Sequence, residues 1–168
     1  QDCSGGELFI EKACNSNSSH EFLVNGVDST NLDENAIQKI KDRIQLKSNI
    51  PVLLFVGKLT ESKGAHYFIE AIIELSKYKK DFIALVIGDG PLRTRLEKSI
   101  TENHVQKYIY LIGLVDHDRI AEYYHLADIY VSVNFPGGLS NTTLEAMKYR
   151  CCIVRLNHSS VEHIDIHT

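Results

Sequence analysis

Apolar positions along the chain follow two alternating spacings. Short continuous runs at Pro51–Val56, Phe82–Ile87, Tyr108–Ile112, Ile129–Val133 and Cys152–Leu156 have strand length. Between them lie segments with the three-to-four-residue spacing of an amphipathic helix. The clearest is Ala65–Tyr78, apolar at Ala65, Phe68, Ile69, Ile72, Ile73 and Leu75. Helices are also predicted from about Leu92 to Thr101, over Asp118–Leu126 and over Asn141–Tyr149. Upstream, Asn31–Lys47 carries Leu32, Ala36, Ile37, Ile40 and Ile44 at helical spacing. It opens on Thr30/Asn31, followed by Asp33 and Glu34, good first-turn chemistry. Glu21–Val24 is a short strand candidate closed by the turn pair Asn25-Gly26. Residues 1–20, rich in Ser, Asn and Gly, read as loop or as the remnant of a preceding domain or linker.

Strands that are apolar throughout are covered on both faces. From Ile50 onward the strand–loop–helix unit repeats four times, which predicts a parallel sheet with helices on both sides. Right-handed crossovers then give a doubly wound, Rossmann-like α/β fold. Ligands of such sheets bind beyond the carboxyl ends of the strands. The loops expected to carry chemistry are therefore 57–64, 88–91, 113–116 and 134–141.

Composition acts mainly by exclusion. At 168 residues the chain suits one domain. It starts at Gln1 and stops after Ile164–Thr168 without a helix-ending signal, so a piece of something longer is expected. Eighteen Lys and Arg against 22 Asp and Glu give −4, which supports no bulk grip on nucleic acid or anionic lipid. No apolar run approaches the roughly 18–20 residues of a membrane helix. Adjacent Cys151 and Cys152 in an apolar run are expected as buried thiols in a reducing, cytoplasmic compartment. Cys3 and Cys14 would pair only under oxidising conditions.

Three loops hold candidate chemistry. Gly57–Gly64 places Lys58 and Lys63 where a helix N-terminus also points, a combination suited to a diphosphate. A solvated loop with ordinary surface lysines fits the same residues, and the Walker A spacing is absent. Gly88-Asp89-Gly90-Pro91 fits a tight strand-to-helix turn better than a ligand loop, since it lacks the third glycine of GxGxxG. Gly137–Ser140 feeds straight into a helix whose first-turn N–H groups suit an anion. Glu145 follows, where a carboxylate can accept from the two hydroxyls of a ribose. The pattern Thr142-x-x-Glu145 equally spells a capping box, in which Glu145 serves only its own helix.

The histidines add little. His158, His163 and His167 gather near the end, but no Cys or carboxylate stands at a recognisable ligand spacing, and no metal is expected. His66, His117 and His125 are expected at the surface or half-buried.

The order of these motifs says more than any one of them. Asn25–Asp28, Phe55–Gly64, Val86–Pro91, Leu111–Val115, Ala127-Asp128 and Gly138–Met147 together resemble the C-terminal half of a retaining glycosyltransferase. The type is that with two Rossmann-like domains (GT-B), the glycosyl transferases group 1 family. The resemblance covers about residues 22–168. It implies that residues 21–168 form a nucleotide-sugar-binding domain for a UDP- or GDP-sugar, with no cofactor or metal required. It implies further that Lys58, usually Arg in the family, grips the diphosphate with Lys63, aided by Ser140 and Asn141. Glu145 matches the second glutamate of the family's E-x7-E motif and is expected on the ribose. Gly88, Gly113, Leu114 and Val115 are expected near the base, and Gly137, Gly138 and Leu139 near the donor sugar.

For the whole protein the resemblance implies retaining transfer of a hexosyl group to a glycan or lipid-linked acceptor. The acceptor site and the catalytic residues would come from an N-terminal domain, so this piece alone is expected to be inactive. Cytoplasmic location with peripheral membrane association, and no nucleic-acid partner, are expected. Two positions depart from the pattern. Gly137 stands where the first glutamate of E-x7-E is usual, and Lys58 lacks the planar fork of arginine. A non-catalytic nucleotide-sugar-binding relative and a GT-B-like nucleotide-sugar epimerase are the alternatives.

Overall fold

A computed structural model describes residues 32–133 and 140–155. The elements run α1 (Glu34–Arg43), β1 (Val52–Val56), α2 (Ala65–Tyr78), β2 (Ile83–Ile87), α3 (Arg93–Glu102) and β3 (Ile109–Gly113). Then come α4 (Ile120–Leu126), β4 (Ile129–Ser132), α5 (Asn141–Lys148) and β5 (Cys152–Arg155). The strands form one sheet in the order β3-β2-β1-β4-β5, every neighbouring pair parallel. This is the doubly wound α/β fold that the alternating pattern predicts. The strand candidate at Glu21–Val24 lies outside the described residues.

Alternation along the strands divides the core between the two faces. Phe55, Ala84, Val86 and Ile109 face α2 and α3, where Phe68, Ile69, Ile72, Leu96 and Ile100 meet them. Val52, Leu54, Ile83, Leu85 and Ile87 face the other way, onto Ile40 and Ile44, Tyr123 and Tyr124 of α4, and Ala146 of α5. Central strand β2 is buried along its whole length. Each such side chain stabilises by about 1.5–3 kcal/mol on full burial. Asp128 ties the foot of the sheet together: its carboxylate accepts from Val52 N at 2.8 Å, and its carbonyl from Cys152 N at 2.8 Å.

Several helix ends differ from the sequence reading. Helix α1 is capped by Asp33, whose side chain accepts from Asn35 N, and not by Thr30 or Asn31. It stops at Arg43 rather than Lys47 because Gln45 turns left-handed with φ 51°. Leu46 N then bonds Lys41 O, and Gln45 N bonds Asp42 O, which together close a Schellman motif. The same closure ends α3 at His104 and α5 at Arg150. Asp118 and Arg119, predicted as the start of a helix, belong instead to a 3-10 turn, His117–Arg119, before α4. Cys151 is buried, and burial pushes its thiol up to about 11, but Cys152 is exposed, contrary to expectation. Cys3 and Cys14 lie outside the described residues. Among the described residues no helix is long and apolar enough to cross a membrane.

Candidate functional site

At the carboxyl edge of the sheet the loops after β1, β2 and β3 are laced together by their backbones. Leu59 N bonds Asp89 O at 3.0 Å, Leu92 N bonds Leu59 O at 3.1 Å, and Gly88 N bonds Gly113 O at 2.8 Å. Leu59, fully buried, pins the middle of the β1 loop to the core. Gly88 has φ +129°, and a Cβ there would lie 2.0 Å from Gly57 O. The Gly88–Pro91 turn therefore owes its glycine to loop-on-loop packing, as the structural reading of that motif anticipates. Leu114 is exposed, while Val115 packs against the core.

The β1 loop holds its two cations outward. Lys58 and Lys63 are exposed, and neither forms an ion pair with a described residue. Between them Glu61 is fastened by one hydrogen bond and lies close to a histidine. Its Oε1 accepts from Arg95 Nη1 of α3 at 2.8 Å, and its Oε2 lies 3.1 Å from His66 Nδ1 of α2. The turn that carries Lys63 is thus tied to α3 through Arg95, while His66 Nδ1 of α2 forms no hydrogen bond. It closes on Gly64, φ +69°, where a Cβ would lie 2.5 Å from Val133 O. That close approach sets the β1 loop directly beside the end of β4.

Ser140 is the N-cap of α5. Its hydroxyl accepts from Thr143 N at 3.3 Å and lies 2.8 Å from Thr142 Oγ1. The capping box expected from Thr142-x-x-Glu145 is therefore not formed, since the cap stands two residues earlier. Thr142 is taken up by a distant partner, accepting from the Tyr130 hydroxyl at 2.8 Å. Released from capping, half-buried Glu145 lies against Tyr124 of α4. Burial first, then the nearby Glu145 carboxylate, holds the Tyr124 phenol far above its ordinary range.

The sheet order explains why these parts meet. Strand β1 is followed outward by β2 on one side, and β4 by β5 on the other, so the order reverses between β1 and β4. A crevice opens at such a reversal. The loop of Lys58 and Lys63 follows β1 on one side of the reversal, and α5, capped by Ser140 and carrying Asn141 and Glu145, follows β4 on the other. Gly88 and Gly113 lie along the neighbouring rim. Gly137, Gly138 and Leu139 fall outside the described residues. Sequence reasoning overlooked Arg93, whose Nη1 lies 3.6 Å from where a Gly113 Cβ would stand. The sequence shows only the i,i+4 spacing of its two acidic partners, Glu97 at 2.9 Å and Asp89 at 3.9 Å.

Residues 36–168 match the glycosyl transferases group 1 family. Among curated proteins, the chain is 27% identical over 111 residues to the alpha-monoglucosyldiacylglycerol synthase of Acholeplasma laidlawii, covering 66% of this chain and 28% of that protein. It is 32% identical over 100 residues to the alpha-D-kanosaminyltransferase of Streptomyces kanamyceticus, covering 60% and 26%. The chain thus spans under a third of the length of these relatives. Among solved structures, the C-terminal domain of a glycosyl transferase group 1 family protein from Francisella tularensis matches with TM-score 0.59 and 26% identity, over 73% of this chain and 65% of that one. A protein from Anabaena solved with UDP and glucose shares the fold, with TM-score 0.61 and 20% identity over 74% of this chain and 34% of that one. With most of its length matched and its sheet ordered as the motifs require, the chain belongs to the glycosyl transferases group 1 family as a GT-B C-terminal domain.

Proposed function

We propose that this domain binds the nucleoside-diphosphate end of a sugar donor, and that the whole protein transfers the sugar to an acceptor hydroxyl with retained configuration. The observation that carries the reading is the approach of Gly64 to Val133. It sets the loop of Lys58 and Lys63 beside the end of β4, the strand that precedes α5, so the two cations stand on the side of the sheet where that helix starts. In this reading Lys58 and Lys63 hold the diphosphate, the N-terminal end of α5 faces it, and Glu145 accepts from the ribose hydroxyls. Cleavage of the glycosyl bond builds charge on the leaving β-phosphate, which those groups stabilise. Two charge-assisted contacts of about 1.5–3 kcal/mol each and a helix terminus of about 0.3–1 kcal/mol sum to roughly 3–7 kcal/mol. Used only in the transition state, that is roughly a few-hundredfold to a hundred-thousandfold in rate. The acceptor is a glycan or lipid-linked hydroxyl, met by the N-terminal domain of the whole protein.

Melting with UDP, GDP and ADP tests the reading. A nucleoside diphosphate at about 100 times its Kd adds roughly 2.7 kcal/mol of stability; no upward shift with any of the three refutes donor binding. Glu145→Ala is expected to weaken that binding while leaving the melting temperature of the free protein in place, because Ser140 and not Glu145 caps α5. Gly137, where the family's first glutamate is usual, favours a second reading, a non-catalytic nucleotide-sugar-binding relative. An inactive whole protein revived by Gly137→Glu supports it, and an active one eliminates it.

A further inference from the structure

Beneath α5 lies a layer of tyrosines. Tyr124 of α4, fully buried, stacks on Tyr149 with ring centroids 6.1 Å apart and planes at 1°. Its ring also meets that of Tyr130 at 6.1 Å. Tyr130 donates to Thr142 near the start of α5, and Tyr149 is the residue at its end. Thr142, Glu145 and Tyr149 follow helical spacing along one face of α5. With both ends of that face resting on the tyrosines, Glu145 between them faces Tyr124.

The hydroxyls of this layer are not treated alike. That of Tyr130 is bonded, while those of Tyr124 and Tyr149 are buried and lack a hydrogen-bond partner; of these two it is Tyr124 that Glu145 faces. The Glu145 carboxylate approaches closely enough to raise the phenol partly through hydrogen bonding, but short of a bond of ordinary geometry. A buried hydroxyl without a partner costs stability, and phenylalanine would fill the same space without that cost. The perturbed phenol stays protonated at any working pH, so it can only donate to a carboxylate. A donor this close to the one acidic side chain of α5 needs only a small movement of that side chain to complete the bond.

We infer that Tyr124 is a positioning residue: when Glu145 turns to accept from the ribose hydroxyls of the nucleotide, the Tyr124 hydroxyl donates to the carboxylate and fixes its rotamer. The inference rests on the reading of Glu145 as the ribose ligand. It adds that the ligand's orientation is set from inside the core, by a residue the nucleotide never touches.

Calorimetric titration of UDP and GDP, each beside its 2′-deoxy counterpart, tests this on the chain and on Tyr124→Phe, Glu145→Ala and the double variant. Tyr124→Phe is expected to weaken the ribonucleotide about five- to tenfold, with the deoxynucleotide nearly unaffected. Its melting temperature should be unchanged or raised. Added to Glu145→Ala, it should cost nothing more, since the two act as one unit. If Glu145→Ala weakens the ribonucleotide selectively but Tyr124→Phe does not, the positioning role is wrong and the ribose reading stands. Equal losses for both nucleotides with a lowered melting temperature make Tyr124 merely structural and overturn the inference. If Glu145→Ala leaves the ribo-to-deoxy preference unchanged, the ribose reading fails and the inference with it.

Discussion

The two banks of the crevice are built by different means. On the β1 side, position is set by backbone: the loops after β1, β2 and β3 hydrogen-bond one another through main-chain atoms, and glycines allow the contact. The β4 side relies on side chains, where hydroxyls of Ser140, Thr142 and Tyr130 and a stack of tyrosines hold the helix that carries Glu145. A backbone lattice tolerates almost any side chain that adds no atom to the contact. A side-chain layer is tuned one hydroxyl at a time. The lysines stand on the backbone-built bank and the carboxylate on the tunable one, which in the proposed reading separates the grip on phosphate from the fit to the sugar of the nucleoside.

The largest effect expected from this contrast comes from adding one methyl group to the lattice. Gly88→Ala places a Cβ 2.0 Å from Gly57 O at φ +129°. Backbone strain of about 1–3 kcal/mol and a similar cost of overpacking should together remove about 2–5 kcal/mol. Urea unfolding measures this directly. Gly57→Ala is the matched control, because its Cβ would approach nothing nearer than Phe55 Cζ at 3.4 Å. Equal losses for the two variants would mean that loop packing is not what holds this bank together.

On the opposite bank a hydroxyl is the unit of change, and two neighbouring tyrosines should respond with opposite signs. Tyr130→Phe removes the donor to Thr142 Oγ1 and should cost about 0.5–1.5 kcal/mol. Tyr124→Phe removes a buried hydroxyl that has no partner and should be neutral or stabilising. Paired denaturation curves decide it; a loss from both would show that the Tyr124 hydroxyl is bonded in the free protein.

How much of this was legible in the sequence follows the same division. Strands such as Phe82–Ile87, and the loops after them, show in the apolar pattern because burial on both faces writes itself into every residue. The glycine turns were legible too, as turns. Thr142-x-x-Glu145 misled because Ser140, an equally good cap two residues earlier, competes for the same helix, and Tyr130, far off in sequence, engages Thr142. Tyr124 carried no signal at all. Its unpartnered hydroxyl becomes meaningful only once the sheet order brings α4 under α5. The overrun of α1 to Lys47 has a similar cause: the pattern looks for glycine at a helix end, and here Gln45 takes the left-handed position.

That last feature gives the smallest expected effect. Arg150 closes α5 with φ 62°, and its side chain is exposed. A non-glycine residue there pays about 1–2 kcal/mol of steric cost, which glycine relieves. Glycine also loosens the unfolded chain, which takes back part of the gain. Arg150→Gly should therefore stabilise by about 0.5–1 kcal/mol, read as a rise in the urea midpoint with unchanged slope. Nucleotide affinity should not move, because the substitution acts at the far end of α5 from Ser140 and leaves the Thr142–Tyr130 and Tyr124–Tyr149 contacts in place. A drop in affinity alongside the gain in stability would show that strain at the end of α5 helps to aim Glu145. The tunable bank would then extend one turn further than its hydroxyls.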